Sequence, residues 1–126
     1  MYLIVGGAYQ GKKQFVCEKF HILKEDMLDG RTCSFEEIKK AKALHHLQDY
    51  IRRMILEDMD PMAFLKNCSL ENSEILFLCN EMGSGLVPVD AFDRRYRELV
   101  GRIQCELAKQ AKAVYRVYCG IGVQIK

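Results

Sequence analysis

The sequence predicts an α/β domain built on a small, mainly parallel sheet. Three observations carry this. Tyr2–Val5 is a continuous apolar run that reads as a buried strand, Glu74–Asn80 is a second strand candidate, apolar over its middle, and Ala113–Tyr118 reads as a third. Amphipathic stretches of helical period separate them, the order expected of parallel strands joined by helical crossovers. Glycine-rich loops follow two of the runs, where such sheets hold ligands. The 126 residues are 49% apolar and 29% charged, a globular composition, and they are read as a single domain over 1–126.

Tyr2-Leu3-Ile4-Val5 is the first strand, ended by Gly6-Gly7. Phe15, Val16, Phe20 and Leu23 suit one face of a helix from Lys12 to about Leu23. Asp29-Gly30 marks a turn, and Arg31-Thr32-Cys33 reads as a short strand. Ser34-Phe35-Glu36-Glu37 is a capping-box pattern. The apolar positions Phe35, Ile38, Ala41, Leu44, Leu47, Ile51, Met54 and Ile55 then predict one long amphipathic helix reaching Met59. Asp60-Pro61 ends it or opens a short helix through about Asn67. After the strand over Glu74–Asn80 comes a glycine-punctuated loop, Glu81 to Pro88. Asp90 opens a helix carrying Phe92, Tyr96, Leu99, Val100, Ile103 and Leu107 on one stripe. Its other faces hold Arg94, Arg95, Arg97 and Arg102, with Glu98–Arg102 and Arg102–Glu106 spaced as i,i+4 pairs, so this reads as a solvated or interface face. Val123-Gln124-Ile125 is a last short strand.

The formal net charge is +2, with 19 basic and 17 acidic residues. That balance gives no case for nucleic acid or an acidic membrane as partner. The six cysteines form no C-x₂₋₄-C half-site, and no metal site is assigned from spacing. The opening apolar run is too short for a signal peptide or membrane span, so the cytoplasm is the expected compartment.

The sharpest signal is Gly6-Gly7-Ala8-Tyr9-Gln10-Gly11-Lys12-Lys13. It fits G-x-x-x-x-G-K and lies after a strand and before a helix. Glycines let backbone N–H groups converge on phosphate oxygens, the helix N-terminus adds partial positive charge, and Lys12 reaches the outer phosphates. The next position, where a Ser or Thr hydroxyl ligates Mg²⁺, is Lys13, whose ammonium has no lone pair for a metal. The expected ligand is a nucleotide, GTP or ATP, with Mg²⁺ open. Glu81, after the second apolar strand, is the candidate strand-end carboxylate; ordering the loop through backbone N–H groups is its competing role.

Paired with Asn80-Glu81-Met82-Gly83-Ser84-Gly85-Leu86-Val87-Pro88, this loop resembles the adenosylcobinamide kinase/adenosylcobinamide-phosphate guanylyltransferase family. Arg94 to Ile103 and Val114 to Lys126 continue the likeness. The resemblance implies a P-loop NTPase-like three-layer α/β fold and assembly into homo-oligomers. It implies a nucleoside triphosphate and adenosylcobinamide as ligands, a role in cobalamin biosynthesis, and two chemistries: phosphorylation of adenosylcobinamide, then GMP transfer through a guanylylated histidine. It also implies that Asn80, Glu81, Gly83 and Gly85 form a second loop at the site. This chain has Tyr9-Gln10 where the family loop has Arg-Ser, Lys13 where it has Ser, and a shortened middle.

On the predicted long helix, His45 falls at the border of the buried face and His46 nearly opposite. Only His45 is then placed to face the phosphate loop, which makes it the histidine candidate for catalysis; a border or surface histidine is the plainer reading. His21 belongs to no constellation. Two functions stay open on the sequence: a nucleotide-dependent kinase/guanylyltransferase, and a non-catalytic nucleotide-binding, regulatory or scaffold protein of the same fold.

Overall fold

The computed structural model describes residues 1–82 and 90–126. Among these, six strands form one sheet: β1 (Tyr2–Gly6), β2 (Met27–Asp29), β3 (Ala43–His45), β4 (Leu76–Asn80), β5 (Ala113–Tyr118) and β6 (Ile121–Gln124). Their order is β2-β3-β4-β1-β5-β6, with every neighbouring pair parallel except β5–β6. The helices are α1 (Lys12–Phe20), α2 (Leu47–Leu56), α3 (Pro61–Glu71) and α4 (Ala91–Gln110).

Alternation along the strands builds two apolar layers. Ile4, Leu76, Leu78, Tyr115 and Val117 point to one face, where Val16 of α1 packs with Phe15 and Phe20 beside it. Leu3, Val5, Leu44, Phe77 and Val114 point to the other, under Leu47 and Ile51 of α2, Leu65 of α3, and Val100, Ile103 and Leu107 of α4. Strands buried on both faces read as near-continuous apolar runs, which is why β1, β4 and, apart from Arg116, β5 are visible in the sequence. Each fully buried Val, Leu or Ile contributes about 1.5–3 kcal/mol. The result is the three-layer, mainly parallel α/β fold expected.

The middle differs from the expectation. Residues 35–59 do not form one helix. Phe35–Lys40 is a 3₁₀ turn, Ala43–His45 is strand β3, and α2 begins only at Leu47. The capping-box contact itself forms, with the Ser34 N–H donating to Glu37 Oε2 at 2.6 Å. What overrides the helical period is burial. Ala43 and Leu44 pack into opposite layers, a placement that a strand between two neighbours provides. His46 then turns the chain in a left-handed conformation, φ 56°.

Arg31-Thr32-Cys33 is likewise not a strand. The strand lies earlier, at Met27–Asp29, and the N–H groups of Thr32 and Cys33 fold back onto the Asp29 carbonyl at 3.1 and 2.9 Å. Helix α1 stops at Phe20, short of Leu23, because His21 adopts φ 57°. Pro61 opens a helix that runs past Asn67 to Glu71, with Asp60 Oδ1 accepting from Ala63 N–H at 3.2 Å. Asp90 caps α4 as expected, accepting from Phe92 N–H at 2.7 Å. The i,i+4 pairs of Arg102 are not among the ion pairs of the described residues; Glu106 instead meets Lys66 at 3.5 Å and Lys109 at 3.1 Å.

Candidate functional site

Parallel pairing brings the carboxyl ends of β1, β2, β3 and β4 to one edge of the sheet. There a cavity of about 510 Å³ opens, lined by residues 8–14, Lys24, Arg31, His45, His46, Leu78 and Asn80. Four side-chain cations line it, namely Lys12, Lys13, Lys24 and Arg31, and among the described residues no carboxylate does.

The loop after β1 is shaped by one glycine and two tethers. Gly11 sits at φ 87°, a conformation that costs a residue with a Cβ, so the chain can enter α1 directly. Gln10 holds the loop to the β5–β6 turn: its carbonyl accepts from Gly120 N–H at 2.7 Å and its side-chain oxygen from Cys119 N–H at 2.8 Å. Lys12 folds back over the loop, donating to the carbonyls of Gly7 at 2.7 Å and Gly6 at 3.3 Å. Burial lowers its pKa. By contrast, no backbone N–H from Ala8 to Gln14 finds an acceptor among the described residues. Lys13 lies on the cavity side of the same loop, and Tyr9 is wholly exposed, in a left-handed conformation.

On the far side the polar groups are already paired. Asp29, at the end of β2, accepts from Arg31 N–H at 2.9 Å, from Nε at 3.0 Å and from Nη2 at 2.9 Å. Those bonds to Arg31 hold its carboxyl well below the usual carboxylate range. Nδ1 of His45 lies 2.5 Å from Nδ1 of His46. His45 is only 8% exposed, and burial, followed by the nearby Lys13 charge, lowers its pKa to about 4. His46 shifts the same way, through burial and then Arg31. Asp29, His45 and His46 together offer ligand atoms within 4.8 Å of one another. Gly30 sets this wall: a Cβ there would come within 2.4 Å of the His46 carbonyl oxygen.

These positions revise the sequence reading. His45 lines the cavity beside the Gly6–Lys13 loop, from a strand end and not from a helix border. His46, expected to point away, lines the same cavity. Asp29 is a strand-end carboxylate that the sequence reading missed, because β2 is three residues long and its Met-Leu pair is too brief a signal. Arg31 and Lys24 were missed too; neither belongs to a motif.

Glu81 is bound to Arg116 of β5, at 2.7 and 2.9 Å from its two oxygens, and its N–H donates to the Gly6 carbonyl at 3.0 Å. Asn80 is held by α2 and α4: its N–H donates to Gln48 Oε1 at 3.1 Å, and its carbonyl accepts from Gln104 at 3.0 Å. The rest of the second loop, Gly83 and Gly85 included, lies outside the described residues.

The model of the cobinamide kinase/cobinamide phosphate guanyltransferase family matches residues 36–125, nearly the whole chain beyond β2. The chain belongs to that family. Among curated relatives, it is 37% identical over 59 residues to the bifunctional adenosylcobalamin biosynthesis protein CobU of Escherichia coli, covering 47% of this chain and 33% of that protein. It is 32% identical over 78 residues to the protein of the same name from Salmonella typhimurium, covering 62% of this chain and 43% of that one. The matched stretches thus span less than half the length of either relative. The family match begins after the Gly6–Lys13 loop, so the loop's role rests on its own geometry.

Proposed function

We propose that this chain binds a purine nucleoside triphosphate, GTP or ATP, on the Gly6–Lys13 loop and serves adenosylcobinamide metabolism in cobalamin biosynthesis. The observation that carries the reading is the run of unengaged backbone N–H groups from Ala8 to Gln14 beside a cavity lined by four cations and no carboxylate among the described residues. These residues are exposed or half-buried, and the first N–H groups of α1 have no partner within the helix; donors of this kind, gathered at a helix N-terminus beside four cations, suit an anion. The G-x-x-x-x-G-K spacing and the strand–loop–helix context support the same ligand class. Family membership supports the pathway and adenosylcobinamide as the second ligand.

In this reading Lys12 leaves its loop carbonyls for the outer phosphates. His45, which lines the same cavity, is the histidine candidate to meet them. Glu81, clasped by Arg116 and donating its N–H to the Gly6 carbonyl, ties the end of β4 to β5 and β1. Among the described residues, those lining the cavity make a poor set for Mg²⁺, and Lys13 replaces the usual hydroxyl ligand. That favours a second reading, a nucleotide-binding regulatory or scaffold protein without phosphoryl transfer.

Titration calorimetry with GTP, ATP and GMP, on wild type and Lys12→Ala, tests the binding. Affinity that ignores Lys12 removes the loop from the account. Turnover of adenosylcobinamide by the wild type favours the enzyme, and binding without turnover favours the scaffold. The reading also places the protein in the cytoplasm as a homo-oligomer, which cell fractionation and light scattering test.

A further inference from the structure

Magnesium takes oxygen ligands in near-octahedral geometry, and in phosphate loops the protein supplies a Ser or Thr hydroxyl and a strand-end carboxylate. Neither is at hand among the described residues. Lys13 stands at the hydroxyl position with three donors and no acceptor. The carboxylate of Asp29 is taken by Arg31. That of Glu81 is taken by Arg116. His45 and His46 offer nitrogen, a poor ligand for so hard a cation. What lines the cavity is positive charge: Lys12, Lys13, Lys24 and Arg31.

A metal-free polyphosphate carries more negative charge than its magnesium complex. A cavity that supplies cations and open N–H groups but, among the described residues, neither a Ser or Thr hydroxyl nor a carboxylate in its lining, stabilises the free form more. We infer that this site takes its polyphosphate as the metal-free anion, with Lys13 standing in electrostatically for the divalent cation. Magnesium then competes with the protein for the same phosphate oxygens instead of bridging them to it. The inference rests on the phosphate-loop reading above and goes further, since that reading holds with or without a metal.

The test is binding of GTP, ATP and inorganic tripolyphosphate at constant ionic strength, once in EDTA and once in excess MgCl₂. Wild type is expected to bind about tenfold tighter in EDTA, the scale of one charge-assisted contact. Lys13→Ser removes the ammonium and restores a hydroxyl, so its preference should swing toward the magnesium complex. Lys13→Arg keeps the charge and should keep the metal-free preference, which separates charge from loop shape. Lys13 is exposed, so melting curves of both variants should match wild type. Wild-type binding that requires magnesium overturns the inference and leaves the phosphate-loop reading standing. A Lys13→Ser variant with the wild-type magnesium response overturns it as well. Absence of binding by all three probes in both buffers overturns both.

Discussion

Two walls of one cavity differ in how their polar groups are used. On the β1 side, backbone N–H groups from Ala8 to Gln14 have no partner among the described residues, and Lys12 rests on carbonyls of its own loop. On the β2–β3 side, Asp29 is saturated by Arg31 and the two histidines contact each other. Both walls hold groups that a simple inventory would count as ligands. Only the first holds them free. Occupancy within the fold, more than residue type, separates a binding surface from a structural one.

The largest expected effect comes from disturbing the satisfied wall. Gly30→Ala would drive a methyl to 2.4 Å from the His46 carbonyl oxygen and 2.8 Å from that of His45. A loss of about 3 kcal/mol is expected, as for other forced overpacking, measured by urea unfolding. Wild-type stability in that variant would mean the β3–α2 junction is not fixed by this contact.

Next is the open wall. Lys12→Ala should weaken GTP or ATP by about 10–100-fold, the scale of a hydrogen bond to a charged group, as read by calorimetry. Its melting temperature should move little, since Lys12 bonds only to its own loop.

Arg31→Ala would convert one wall toward the other. With its partner gone, the Asp29 carboxyl should titrate back toward the ordinary range, observable by NMR. Asp29, His45 and His46 would then be open to a borderline metal, and Zn²⁺ affinity should rise over wild type.

The mildest effect is acid sensitivity. His45 titrates lower in the folded chain than in the unfolded one, at about 4 against an ordinary 6.5. The unfolded state therefore binds more protons across that window, and stability falls as pH drops from 6.5 to 4. His46 shifts the same way and adds to the slope. Asp29, with its pKa lowered, contributes only further down, as pH falls through the carboxylate range and below. His45→Gln should flatten thermal melts between pH 6.5 and 4.5; an unchanged slope would show that His45 is not what titrates.

The legible parts of this molecule are those whose signal is local. β1 and β4 are buried on both faces and nearly continuous in the sequence, and β5 is broken only by Arg116. The capping residues Ser34, Asp60 and Asp90 stand where their chemistry needs them. The Gly6–Lys13 segment can be read as a turn between strand and helix because its glycines mark it locally. β2 and β3 could not be read so. Each is three residues long, and the apolar spacing around Ala43 and Leu44 suits a helix equally well until neighbouring strands bury both faces.

Sequence alone determined the α/β class, the glycine-rich turn between β1 and α1 and the Lys13 at its end, because each depends on residues adjacent in the chain. Tertiary structure decided which carboxylates are engaged and which side chains share the cavity. Glu81 and Arg116 lie 35 residues apart and pair because β4 and β5 flank β1, while the local Asp29–Arg31 and His45–His46 contacts reach one edge only because β2 and β3 pair in parallel.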